Sequence, residues 1–105
     1  ILKFMDDEKP YLKSNITLDT LSEYIDVPAR ELTAVLNGHF KMNFYEFVNN
    51  YRIKEAKEIL AADSNQEKTI SDIFLAVGFN SKSVFNTSFK KNVGLTPSEF
   101  RKKLK

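Results

Sequence analysis

From Thr69 to Leu104 the sequence starts a helix, stops it at a glycine and starts another within three residues, a spacing that leaves few ways to fold the segment. Apolar Ile70, Ile73, Phe74 and Val77 fall at the i, i+3, i+4, i+7 positions of a helix with one buried stripe. Thr69 and Asp72 have the form of a capping box at its start. Gly78 predicts the stop, because it accepts the positive φ that helix C-termini commonly require, and Phe79 can drop back into the core as the anchor of the turn. Ser81 caps the next helix. There Val84, Phe85 and Phe89 supply the buried side, and Lys82, Ser83, Asn86, Thr87, Lys90 and Lys91 are left for solvent or a ligand. Gly94 ends this second helix. In Thr96-Pro97-Ser98-Glu99, Thr96 caps a last short helix, Pro97 takes its first position and Glu99 completes a further capping box, with Phe100 and Leu104 as anchors.

A helix, a tight turn and a second helix at this spacing is how many proteins set one helix in the major groove of DNA. The chemistry of the exposed side agrees. No acid occurs between Asp72 and Glu99, whereas an ordinary solvated helix interleaves Glu with Lys. Asn, Ser, Thr and Lys can hydrogen-bond to base edges or phosphate oxygens.

The pattern occurs twice. At an offset of about fifty residues Thr17, Leu18, Leu21, Ile25 and Val27 fall opposite Thr69, Ile70, Ile73, Val77 and Phe79. Past the turn the offset grows by one, so Leu32, Ala34 and Leu36 match Phe85, Thr87 and Phe89, and Pro28 opens the first copy's second helix. Asp26 stands where Gly78 stands, and Asp tolerates the left-handed conformation better than most residues. The corresponding exposed face is Ala29, Arg30, Thr33, Ala34 and Asn37, with Glu31 beside it. Between the copies, Asn43 and Glu46 form a capping box, and Phe44, Phe47, Val48, Tyr51, Ala56, Ile59 and Leu60 carry helical periodicity to about Ala62. A helix of roughly 20 residues spans about 30 Å, close to the ~34 to 36 Å between successive major-groove openings on one face of B-DNA.

The repeat, the stretch NFYEFVNNYRIKEAKEIL and above all GFNSKSVFNTSFKKNVGLTPSEFR resemble the DNA-binding domain of AraC/XylS-type bacterial transcription regulators, over about Ile16 to Lys103. The resemblance implies an all-α, homeodomain-like fold of about seven helices, with two helix-turn-helix subdomains joined by a long linker helix. It also implies binding as a monomer to an asymmetric site. Residues 1–15 would be a strap or a linker to a missing domain, 16–42 the first helix-turn-helix, 43–62 the linker helix, and 63–105 the second helix-turn-helix with its C-terminal helix. Matched to the family, the base-contacting places fall on Arg30, Thr33 and Ala34 and on Lys82, Ser83, Val84 and Thr87, and Arg101 falls where a phosphate contact is expected. With Asn37, Ser81, Asn86, Lys90 and Lys91 from the exposed faces, these form the candidate DNA-binding set. Phe74 departs from the small residue usual in the family and implies a wider helix crossing. Ala34 and Thr87 stand where other members carry longer polar side chains, which implies an unusual or loosely specified site.

Composition narrows the alternatives. Net charge is only +2, but residues 1–63 sum to −3 and residues 64–105 to +5, so the second copy is expected to supply most of the attraction for phosphate. There are no cysteines, which removes disulfides and thiolate chemistry and fits a cytoplasmic location; the full-length protein could still be tethered to a membrane sensor. No apolar run approaches the ~18 residues of a membrane span. His39 is the only histidine and has no second ligand at metal spacing, so it reads as a turn residue and no metal or cofactor is expected. The phenylalanines read as core rather than as stacking platforms, with Phe40 the least settled. Arg52 and Lys54 on the linker helix read as partners of Glu55 or Glu58 at helical spacing. Arg101, Lys102, Lys103 and Lys105 divide between phosphate contacts and a frayed tail. Nothing resembles a catalytic constellation. The expected partner is double-stranded promoter DNA, with RNA polymerase a further candidate. Leu2, Phe4, Met5, Tyr11 and Leu12 suit an extra helix and strap, and the absence of an initiating methionine or a sensing segment points to a fragment whose effector or dimerisation domain lies elsewhere. The rival reading is a helical protein-interaction domain that keeps the scaffold without reading DNA.

Overall fold

Side-chain caps set most of the helix starts. The computed structural model describes residues 1–63 and 65–104, and the regular secondary structure among them is entirely helical. Helix α1 (Leu2–Glu8) and a 3₁₀ turn (Pro10–Leu12) precede α2 (Leu18–Ile25), α3 (Ala29–Gly38), α4 (Phe44–Ala62), α5 (Ile70–Ala76), α6 (Lys82–Val93) and α7 (Pro97–Lys103). Reciprocal capping boxes open three of them, from Asn43 with Glu46, Thr69 with Asp72 and Thr96 with Glu99. Thr17 accepts from the N–H of Thr20 and Ser81 from that of Val84. Each such cap meets backbone donors that a helix start otherwise leaves unpaired and stabilises its helix by ~1 kcal/mol. Pro28 is the residue before α3 rather than its first, and it offers no side-chain cap. Both turns between paired helices use the left-handed region, with φ 55° at Asp26 and 104° at Gly78.

Two cores form, one for each helix-turn-helix. Leu21, Leu32 and Leu36 of the first lobe close over Phe47 and Val48, and Met5 and Tyr11 join them from the N-terminal segment. Ile73, Phe74, Val77, Phe79, Phe85 and Phe89 of the second lobe close over Ile53, Ala56 and Leu60. Helix α4 therefore serves one core with its first half and the other with its second. Phe40 is half-buried against the first core, its ring centroid 5.3 Å from that of Phe47. The body is elongated, 44 × 23 × 22 Å.

Two anchors expected from the sequence lie elsewhere. Val84 is 49% exposed, because Phe85 and Phe89, one turn apart, fix the buried stripe and leave their neighbour turned about 100° around the helix from Phe85. Leu104, just past the end of α7, is also largely exposed, and Phe100 alone packs on the second core. Lys105 lies outside the described residues.

Phe74 is core, 7% exposed with its ring centroid 5.7 Å from that of Phe85. The second lobe accommodates the larger residue within an aromatic cluster in which Phe79, Phe85, Phe89 and Phe100 meet at tilted or edge-to-face angles. Phe74→Ala is expected to cost about 3–5 kcal/mol, as large-to-small changes in packed cores do. An unchanged urea midpoint would refute that placement.

Candidate nucleic-acid interface

The two candidate helices present their polar sides because their apolar sides are held. In α6, Phe85 and Phe89 are fully buried, which leaves Lys82, Ser83, Val84, Thr87, Lys90 and Lys91 exposed and Ser81 and Asn86 half-exposed. In α3, Leu32 and Leu36 do the same, leaving Arg30, Glu31, Thr33, Ala34 and Asn37 exposed.

The start of α6, like that of the N-terminal α1, carries no acid, and in this it differs from every other helix of the two lobes and the linker. Helices α2, α3, α4, α5 and α7 each carry an acid in the first turn, namely Asp19, Glu31, Glu46, Asp72 and Glu99, whereas α6 carries none. An acid there normally stabilises a helix by ~0.3–1 kcal/mol through the helix dipole. Its absence leaves the positive end of α6, with Lys82 beside it, open to an anionic ligand such as a phosphate. Ser81 is already engaged as the cap. At the far end, Lys91 Nζ lies 3.7 Å from Glu46 Oε2 across an exposed pair, a contact weak enough to exchange for phosphate.

Arg101 is used differently. Its Nη2 donates to the Lys68 carbonyl at 2.6 Å and to Asp63 Oδ2 at 3.3 Å, stapling α7 to the loop after α4. Asp63 also accepts the backbone N–H groups of Glu67 and Lys68. The Lys68 N–H, followed by that of Glu67 and by the nearby cations, holds the Asp63 carboxyl below its ordinary range. Arg101 Nε is buried without a partner. A phosphate contact through Nη2 of Arg101 would have to break this staple.

Arg52 is buried and makes no pair with the carboxylates at helical spacing from it. It is 8% exposed and donates to the carbonyls of Tyr11 and Lys13 and to Asn49 Oδ1 rather than pairing with Glu55 or Glu58. The signal was present. Val48, Arg52, Ala56 and Leu60 form an unbroken i, i+4 series, so Arg52 lies on the buried stripe of α4. Burial pushes its pKa below the ordinary guanidinium value. Glu55 instead accepts from Lys9 Nζ and the Tyr11 hydroxyl.

His39 is exposed at the end of α3, edge-on to Phe40 at 4.8 Å, and among the described residues no group of three or more His, Cys, Asp or Glu side chains is placed to hold a metal ion. Among them, too, no helix is long and apolar enough to cross a membrane.

Two helix-turn-helix units built on one linker helix, each exposing a polar face on its second helix, define a DNA-binding domain of the kind that regulates transcription. The chain belongs to the AraC/XylS family, and the family described as "Helix-turn-helix domain" matches residues 21–103. The melibiose operon regulatory protein of Escherichia coli K12 is 28% identical over 87 residues, covering 83% of this chain and 28% of that protein. An uncharacterized HTH-type transcriptional regulator of Staphylococcus aureus COL is 31% identical over 91 residues, covering 87% of this chain and 12% of that one. The chain thus spans less than a third of the length of these relatives. Among solved structures, the C-terminal domain of the two-component response regulator yesN from Fusobacterium nucleatum superposes with a TM-score of 0.72 at 31% identity, over 90% of this chain and 88% of that one. The C-terminal domain of AraT, a response regulator from Geobacillus stearothermophilus, gives 0.74 at 26% identity, over 90% and 76%. The family consists of transcription regulators, not enzymes.

Proposed function

We propose that this domain reads double-stranded promoter DNA with α3 and α6 in successive major-groove openings on one face of the duplex. One observation carries the reading: two lobes, each exposing a polar helix face, sit on a single 19-residue helix in a body 44 Å long, and adjacent openings lie ~34 to 36 Å apart. Arg30, Thr33, Ala34 and Asn37 face the bases from α3, and Lys82, Ser83, Val84, Asn86 and Thr87 from α6. Val84 and Ala34, apolar and exposed, suit thymine methyl groups. Lys90 and Lys91 hold phosphates, Ser81 fixes the start of α6, and Arg101 meets a phosphate from α7 while its Nη2 holds that helix against the loop. Recruitment of RNA polymerase and control by an effector or dimerisation domain belong to the same reading, and the relatives extend well beyond the matched stretch, which leaves room for such a domain.

Selection of sites from a random duplex library with the purified domain tests this. Two short motifs about one helical turn apart support it. A single motif would leave only one reading helix, and no enrichment would favour a protein-interaction role. Once a site is known, Lys91→Ala should weaken binding to all sequences about equally and lower the salt slope by about one, whereas Arg30→Ala should cost ~1 to 3 kcal/mol on the preferred site only. Titrations on specific and random duplexes at several salt concentrations check both, and equal losses on the two kinds of DNA for both variants would refute the division of roles.

A further inference from the structure

Arg52 sits where the two lobes meet, in surroundings unusual for a charge. None of its three hydrogen-bond acceptors is a carboxylate: Nε donates to the Tyr11 carbonyl at 2.7 Å, Nη2 to the Lys13 carbonyl at 3.0 Å and Nη1 to Asn49 Oδ1 at 3.2 Å. Its guanidinium carbon lies 5.6 Å from the centroid of the Phe79 ring, in the second lobe. Holding a guanidinium out of water is costly even when its donors are met, and an apolar residue would often serve stability as well, so a buried charge of this kind is better explained by the arrangement it specifies.

What it specifies is the position of residues 9–13. This strap belongs to the first lobe through Tyr11 and is tied to α4 by Lys9 and Tyr11 on Glu55. It also reaches the second lobe. Leu12 packs against both cores, and a Cβ on Gly78, in the second turn, would lie 2.5 Å from the Tyr11 carbonyl oxygen and 2.8 Å from Arg52 Nε. The strap is therefore wedged between the first core and the turn that aims α6, and it adds to α4 a second connection between the lobes. It lies outside the residues matched by the family.

We propose that the strap, clamped by Arg52, sets the separation and angle of the two reading helices, so that Arg52 is a positioning residue for the spacing between the two halves of the DNA site. This rests on the two-groove reading above. A rigid join makes the second contact effectively intramolecular at one spacing and weak at others, whereas a loosened join accepts several spacings.

The test uses duplexes carrying the selected two-part site with the gap at its preferred length and changed by two base pairs either way, which moves the second motif about 7 Å along and about 70° around the duplex. Fluorescence anisotropy gives affinities for the unaltered chain, Arg52→Met and Leu12→Ala. The unaltered chain is expected to lose about tenfold or more at the changed gaps, and both variants less than about threefold, with affinity for a single half-site unchanged. Variants that keep the full spacing penalty overturn the inference and leave the two-groove reading standing; an unaltered chain indifferent to spacing overturns both. A DNA-free measurement runs beside it. The chain lacks cysteine, so spin labels at Asp19→Cys and Ser98→Cys, exposed sites on α2 and α7, report the distance between lobes. The variants should broaden that distance distribution, and an unchanged distribution counts against the strap. Where Arg52→Met does not fold, Leu12→Ala, which trims a half-buried side chain without uncovering a charge, decides both measurements.

Discussion

Gly78→Ala is expected to lose about 2–5 kcal/mol of stability, from one added methyl group. Two costs combine. The backbone sits at φ 104°, in a region that costs an L-residue roughly 1–2 kcal/mol. The new Cβ would also lie 2.5 Å from the Tyr11 carbonyl oxygen and 2.8 Å from Arg52 Nε, closer than atoms can approach. Relief requires the strap to move away or the Arg52–Tyr11 hydrogen bond to open, and a buried group left without its partner costs about 1–3 kcal/mol or more when charged. The total is a large part of the ~5–15 kcal/mol that holds a typical domain together. Gly94 separates the two costs, since it also has a positive φ, 87°, but no atom within 4 Å of the place a Cβ would take. Gly94→Ala should therefore lose only about 1–2 kcal/mol. Urea unfolding of the two variants checks the difference, and equal losses would mean that the close approach to the strap carries no energy.

That glycine also marks what the sequence could and could not disclose. Its role as a helix stop is local, as are the capping boxes at Asn43, Thr69 and Thr96, and such features can be read from residues a few positions apart. The exposure of the candidate faces of α3 and α6 follows from the same source, because burying Leu32 with Leu36 and Phe85 with Phe89 determines what is left outside. The reason Gly78 admits no side chain at all is not local. It depends on Tyr11 and Leu12, more than sixty residues earlier, and no periodicity encodes that approach. Arg52 differs for another reason: its charge suits a carboxylate partner at helical spacing while its position on the Val48–Ala56–Leu60 stripe favours burial, and position prevails because backbone carbonyls of the strap receive its donors. The Arg101–Asp63 staple joins residues 38 apart and was likewise out of reach. Val84 reads as part of the buried stripe because it is apolar and stands beside Phe85, yet one residue along a helix is a quarter-turn or more around it, and the side chain is half exposed.

Val84→Glu is expected to act in opposite directions on folding and on DNA. Val84 is the third residue of α6, with Ser81 as the cap, so a glutamate there completes the S-x-x-E form of a capping box and places an acid at the positive end of the helix. Half the residue's surface is already exposed, so little apolar burial is lost. Stability should hold or rise, by up to about 1 kcal/mol. Binding should fall at least about a hundredfold, because like charge set against DNA costs several kcal/mol. Val84→Gln, able to make a similar reach-back bond without charge, should retain far more affinity. Thermal unfolding and anisotropy titration of the same two samples check the pair. If α6 were an ordinary solvated helix, Val84→Glu would stabilise the domain and leave DNA binding intact, since the one helix start among α2–α7 that lacks an acid would then have no anion to wait for.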